Sequence, residues 1–211
     1  MFYIREIVDR AWRAAREWGS TPEERAATLP CDTVASPAAN LVVNRAVDVD
    51  AAPPILFRWL CQMRVAPYSY DLIDNFGRRS PRELTPGLGN LRVGQRFMTI
   101  FRLASFEPDR HLTLVTSSGN TAVTYLVTPR TGGGSRLLVR IRMRSRAGDA
   151  MAFLDLPMMR KQLLTLKELA ESSAGAAAAA PATAPSRRAP GANAAGRPPP
   201  GSRAPWARSR G

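Results

Sequence analysis

Apolar side chains recur at helical spacing from the first residues onward. Ile4, Ile7, Val8, Ala11, Ala15 and Trp18 form one stripe, with Arg5, Arg10, Arg13 and Arg16 elsewhere on the wheel. The pattern predicts an amphipathic helix on a domain surface. Glu6, Asp9 and Glu17 interleave with its arginines, which argues against a membrane-surface helix. Thr21-Pro22-Glu23-Glu24 follows with an N-cap hydroxyl, proline at the first helical position and glutamate at the third, a capping box that starts a second, short helix.

The period then shortens to two. In LVVNRAVDVD, residues 41–50, Val43, Val47 and Val49 alternate with Asn44, Asp48 and Asp50, which predicts a half-buried strand. Asp50-Ala-Ala-Pro-Pro opens a helix with Leu56, Trp59, Leu60 and Met63 on one face. From residue 91 the chain reads as strands: LRVGQRFMTIFRLASF, a turn at 107–110, HLTLVTS, NTAVTYLVTP, a glycine turn at 132–134 and SRLLVRIRMRSR. In the last, Leu137, Val139, Ile141 and Met143 alternate with Leu138, Arg140, Arg142 and Arg144, so one side is expected in the core and the other mostly in solvent. A closing helix is predicted from about 150 to 172, with Met159, Leu163, Leu166 and Ala170 at helical spacing and Pro157 in its first turns or kinking it. Beyond residue 173 the chain is Ala, Pro, Gly, Ser and Arg apart from Thr183, Asn193 and Trp206, its only aromatic. Such a segment buries too little to offset an ordering entropy of about 1–2 kcal/mol per residue, and disorder is expected.

Composition alters this picture little. A chain of 211 residues, 45% hydrophobic, is long enough for one domain with a real core. Of the net charge of +13, six comes from arginines beyond residue 173, where no acid stands. Only Lys161 and Lys167 are lysines, an arginine bias that GC-rich coding produces as readily as phosphate binding, so the basic charge alone names no partner. Cys31 and Cys61 stand far apart and His111 is the single histidine, which argues against a zinc site or a disulfide framework; no metal or cofactor is expected. No apolar h-region opens the chain and no run approaches the length of a membrane span. A soluble, cytoplasmic protein, monomeric or weakly dimeric, is the expectation.

The order of elements, a strand, helices, a long antiparallel meander and a long closing helix, is that of the helix-grip fold, an α+β class. RAVDVDAAPPILFRWL resembles the opening strand and Trp-containing helix of the START-like, Bet v 1-like superfamily, and of its polyketide cyclase/dehydrase-like members in particular. FEPDRHLTL resembles its strand-turn-strand, TYLVTPRTGGGSRLLVRIR its final hairpin and PMMRKQLLTLKELAES its C-terminal helix. WGSTPEERAATLPCD and YSYDLIDN are similar to segments of bacterial members with an N-terminal helical extension. The resemblance implies a curved antiparallel sheet wrapped around the last helix, with a cavity between them that takes an apolar small molecule. It divides the chain into a helical extension (1–38), a helix-grip domain (39–172) and a tail (173–211).

Within that frame, Trp59, Tyr68, Tyr70, Asp71 and Asp74 fall at or after the helix that would cover the cavity mouth, and Tyr125 sits between Val123 and Val127 on the inward face of its strand. A tyrosine offers a ring and a hydroxyl, which suits a ligand with rings and carbonyls. The competing reading is that the aspartates cap a helix or pair with Arg78 or Arg79 while the tyrosines pack. Arg102 and Arg45 could each face inward, where a buried arginine needs a carboxylate, a carbonyl or a ligand anion. His111 alternates with Leu112 and Leu114 and is expected to turn outward. Arg140, Arg142, Arg144 and Arg146 form a comb that could contact nucleic acid or an acidic partner, with the arginine-rich tail, unless Asp48 and Asp50 on the neighbouring strand neutralise it. Gly132 to Gly134 have neither Walker nor dinucleotide spacing and read as a turn. No catalytic constellation stands out. Any activity is expected to be cyclisation or dehydration of a keto substrate, with Tyr70 or Tyr125 donating to an oxygen and an aspartate accepting a proton.

Overall fold

The computed structural model describes residues 2–69 and 79–179. Six strands form one antiparallel sheet in the order β1-β6-β5-β4-β3-β2, where β1 is Leu41–Val49, β2 Arg96–Phe97, β3 Phe101–Glu107, β4 His111–Thr116, β5 Thr121–Pro129 and β6 Ser135–Met143. The register carries Val43, Ile141, Val123, Leu114 and Leu103 side by side across one face, and all five are buried. The closing helix α5 (Asp149–Ala179) packs on that face through Leu163, Leu166 and Ala170, together with α4 (Pro53–Cys61). Sheet and helix bury their apolar sides against each other, and the result is the helix-grip architecture.

The N-terminal segment builds a second layer. Helix α1 (Phe2–Glu17) packs against α5 and β1, with Trp12 edge-on to Phe153 at a centroid distance of 4.5 Å and Ala15 fully buried. The capping box forms as the sequence predicts: Glu24 N donates to Thr21 Oγ1 and Thr21 N to Glu24 Oε2, opening α2 (Pro22–Ala26). Helix α3 (Cys31–Val34) follows on the outer face of the sheet, where Leu29 and Cys31 join Ala46, Ala122 and Leu138 in a separate apolar cluster. Between α1 and this layer the chain passes β1 closely. Gly19 has φ +73°, a Cβ there would run into the Ala46 carbonyl, and Ala46 N donates to Trp18 O at 3.0 Å.

Four sequence expectations change in detail. The side of β6 expected in solvent is largely covered, because residues 22–35 lie over it: Leu138 and Arg140 are both buried. Residues 91–106 are not one strand; Met98 and Thr99 adopt positive φ and turn the chain between β2 and β3. Helix α4 begins at Pro53 after Ala52, not on Asp50, which pairs with Arg130 at 3.0 Å. Helix α5 continues past residue 172 to Ala179, through an alanine run of the highest helix propensity.

Candidate functional site

A cavity of about 400 Å3 lies between the inner face of the sheet and the first half of α5. On α5, Asp155, Met158, Met159 and Gln162 line it at spacings of three and four, one helical face repeated over two turns. From the sheet, Thr121, Val123 and Tyr125 enter on alternate residues of β5, and Ile141 and Met143 on alternate residues of β6. Pro67 and Ser69, after α4, and the turn at 98–101 complete the wall. Ile100 is 63% exposed whereas Tyr125 and Gln162 are buried, so the cavity runs from a rim at the β2–β3 turn to a floor at Tyr125.

The floor is a fixed hydrogen-bond relay. Gln162 Nε2 lies 2.6 Å from Pro67 O, which can only accept, and 3.4 Å from Met98 Sδ. That orients the amide and leaves its Oε1 to accept from Tyr125 Oη at 2.8 Å. The tyrosine proton is committed to this bond. Burial pushes the Tyr125 pKa upward, with the nearby Asp155 charge adding to the effect, so its hydroxyl is a weak acid.

Asp155 stands apart from the relay. Its Oδ2 is buried with no hydrogen-bond partner, and the facing cation, Arg45 Nη2, is 3.8 Å away. Burial pushes the Asp155 carboxyl up to about 6, the arginine offsetting only part of the effect. Arg45 is fully buried; its Nη1 donates to Asn44 O at 3.0 Å and its Nη2 to Ala152 O at 3.3 Å, while its Nε has no hydrogen-bond partner. The inward register of Arg45, opposite Val139, matches the sequence expectation, and its carboxylate partner comes from a helix over a hundred residues later in the chain.

Of the other expected site residues, Tyr125 lines the cavity. Trp59 and Tyr68 are buried and meet edge-on at 6.1 Å, but neither forms a wall of the cavity; Trp59 Nε1 donates to Ser173 Oγ at 3.0 Å and so ties α4 to α5. Arg102 faces the other way. It pairs with Val115 on the outer face, is exposed and donates to Gly94 O at 3.3 Å, because Leu103 takes the inward position. Tyr70, Asp71 and Asp74 lie outside the described residues. Gln162, Asp155 and Met98 were missed; the i, i+3, i+4, i+7 spacing of 155, 158, 159 and 162 was the signal available for the first two.

Nor is the arginine comb a free basic surface. Arg140 gives all five of its N–H donors: to Asn44 Oδ1, Ala27 O, Asp32 Oδ2, Glu24 O and Arg25 O, between 2.6 and 2.9 Å. Arg142 reaches Asp32 Oδ1 at 3.3 Å. Asp32, from α3, is thus the counter-charge, whereas Asp48 pairs with Arg136 and Arg130 and Asp50 with Arg130. Arg144 and Arg146 are exposed. His111 sits opposite Leu126 on the outer face, 3.8 Å from Glu107, with its pKa lowered by burial. Among the described residues no three His, Cys, Asp or Glu side chains group as metal ligands, and no helix is long and apolar enough to cross a membrane.

No protein-family profile and no curated protein matches the chain. Solved structures similar to it include a protein from Rhodobacter sphaeroides (19% identity, 65% of this chain and 95% of that one, TM-score 0.45) and one from Chromobacterium violaceum (14% identity, 62% and 97%, TM-score 0.42). An AHSA1-like protein from Rhizobium etli is also similar, at 17% identity over 62% of this chain and 82% of that one, with a TM-score of 0.38.

Proposed function

We propose that the protein binds an apolar or aromatic small molecule in the cavity between its sheet and α5, as a START-like, polyketide cyclase/dehydrase-like helix-grip protein. One observation carries this reading: among the described residues the space of about 400 Å3 is walled by Met98, Val123, Ile141, Met143, Met158 and Met159, with polar groups only at Tyr125, Gln162, Asp155 and a few rim hydroxyls. Small-molecule sites have this character, an apolar wall of roughly 300–1,000 Å3 with few placed polar atoms. The sulfur side chains add adaptability, since an unbranched thioether repacks around different ring systems. The sequence resemblance and the sheet wrapped on a helix support the family assignment, and fold alone transfers no activity.

Tyr125 is a poor choice of acid, because its proton is already given to Gln162. The reading as a nucleic-acid contact through Arg140, Arg142 and Arg144 loses its first two members to Asp32 and the carbonyls of α2. Small-molecule binding is therefore the function the geometry supports best.

The test is native mass spectrometry of the full chain, purified gently enough to keep a co-purified occupant, beside a Val123→Trp variant whose indole fills the cavity. An apolar molecule at near one equivalent in the parent and none in the variant is the expected result. A parent that stays empty against a panel of lipids and aromatic polyketides overturns the reading.

A further inference from the structure

The hydrogen-bond donors and acceptors around the cavity floor are unequally spent. Gln162 gives its amide protons to Pro67 O and Met98 Sδ, and Tyr125 gives its proton to Gln162. No donor of this relay is left for a ligand. Acceptors remain: no hydrogen bond reaches the Asp155 carboxylate, which lines the cavity while its Oδ2 is enclosed on the side of Arg45, and Tyr125 Oη keeps its lone pairs. Arg45, the cation facing Asp155, sits behind the wall; its guanidinium is held by Asn44 O and Ala152 O and is not part of the lining.

Resting on the reading of the cavity as a small-molecule site, we propose that its occupant is an apolar ring system bearing a hydrogen-bond donor, a hydroxyl or an N–H, which it gives to the carboxylate of Asp155. A buried acceptor without a partner is costly, and a ligand that supplies the proton recovers that cost while its rings fill the methionine-lined space. A carbonyl-only or anionic ligand meets the reverse situation: its lone pairs face the lone pairs of Asp155 and Tyr125, with no free proton between. Asp155 ionises below neutral pH, so at neutrality the acceptor form prevails.

Four probes on one scaffold decide the matter: phenanthrene, phenanthrol, the methyl ether of phenanthrol, and phenanthrene carboxylate, each measured by equilibrium dialysis against the full-length protein at neutral pH. Phenanthrol is expected to bind at least about tenfold tighter than its ether, the difference a charge-assisted hydrogen bond supplies, and the carboxylate weakest of all. In Asp155→Asn the amide oxygen still accepts but the charge is gone, and the ratio of phenanthrol to phenanthrol-ether affinity is expected to shrink severalfold.

Equal binding of phenanthrol and its ether, with both displaced by Val123→Trp, overturns this inference and leaves the cavity reading standing. So does a preference that persists unchanged in Asp155→Asn. Tightest binding by the carboxylate overturns it in favour of an anion held by Arg45. If none of the four binds, the cavity reading fails and this inference with it.

Discussion

Replacing Arg140 with alanine removes five hydrogen bonds at once, and all five end on the layer that covers the outer face of the sheet or on the strand beneath it. Three acceptors are the backbone carbonyls of residues 24, 25 and 27, so these bonds tie the end of α2 to β6. Asp32 keeps Arg142 and Leu29 N, so it is weakened rather than orphaned, and the carbonyls regain water only if the segment lifts. Breaking a buried, multiply bonded ion pair costs about 3–5 kcal/mol, against a total stability of about 5–15 kcal/mol. Part of that loss is expected as local opening of residues 22–35.

Cysteine alkylation separates the local event from global unfolding. Cys31 opens α3 on the sheet-facing side of the N-terminal layer and Cys61 lies in the main core, both essentially unexposed, and burial pushes both thiols up, Cys61 to about 12. Both are expected to react slowly in the parent. In Arg140→Ala, Cys31 is expected to label about a hundredfold faster, since 3 kcal/mol is worth two powers of ten in the open population, while Cys61 follows the urea stability alone. Arg140→Lys, which keeps the charge but offers at most three donors in a different geometry, falls between. A Cys31 that stays as slow as Cys61 in the alanine variant, or a stability change under about 1 kcal/mol, refutes the view that Arg140 pins this layer.

Two further outcomes rest on other parts of the fold. Gly19→Ala combines a left-handed backbone with a Cβ that collides with the Ala46 carbonyl, and a loss of about 2–4 kcal/mol in urea unfolding is expected; a neutral result means the chain does not cross β1 as described. Asp155 has a raised pKa in the folded state, so it takes up its proton near 6 when folded and only near 3.8 when unfolded. The sign follows: folding binds a proton in that window, the ionised carboxyl destabilises the fold above it, and the penalty fades as pH falls through 6 toward 3.8. At 1.36 kcal/mol per unit this amounts to about 3 kcal/mol. The stability of Asp155→Asn relative to the parent is therefore expected to be more favourable at about pH 8 than at about pH 4 by that order. A difference that is flat with pH, or that grows as pH falls, rules out the buried ionised carboxyl.

Local order was legible in the chain because it depends on nearest neighbours. The alternation of Val43, Val47 and Val49, the inward turn of Tyr125, the outward turn of His111 and the capping box at Thr21 all follow from period and φ/ψ preference. So did the need of Arg45 for a partner, since an inward arginine on a core strand cannot stay unpaired. The name of that partner was not legible. Asp155 is 110 positions away, and only the packing of α5 on the sheet brings the two to 3.8 Å.

The same limit decided the outer face. A comb of arginines sharing one face with Leu138 reads as solvent-facing when the strand is taken alone, and the acids at 48 and 50, on the outer face of the first strand, were the expected counter-charges. Tertiary structure instead laid α2 and α3 across β6, and Asp32 took Arg140 and Arg142. Trp59 and Tyr68, placed by the sequence near the cavity mouth, meet edge-on in the buried core, and Trp59 joins α4 to α5 through Ser173. The sequence by itself determined the elements and which side of each strand is apolar, as these are set by local sterics and solvent transfer. Which polar groups meet inside the cavity was decided only by the docking of α5, because hydrogen bonds and ion pairs act over a few ångströms and no local pattern encodes what lies across that gap.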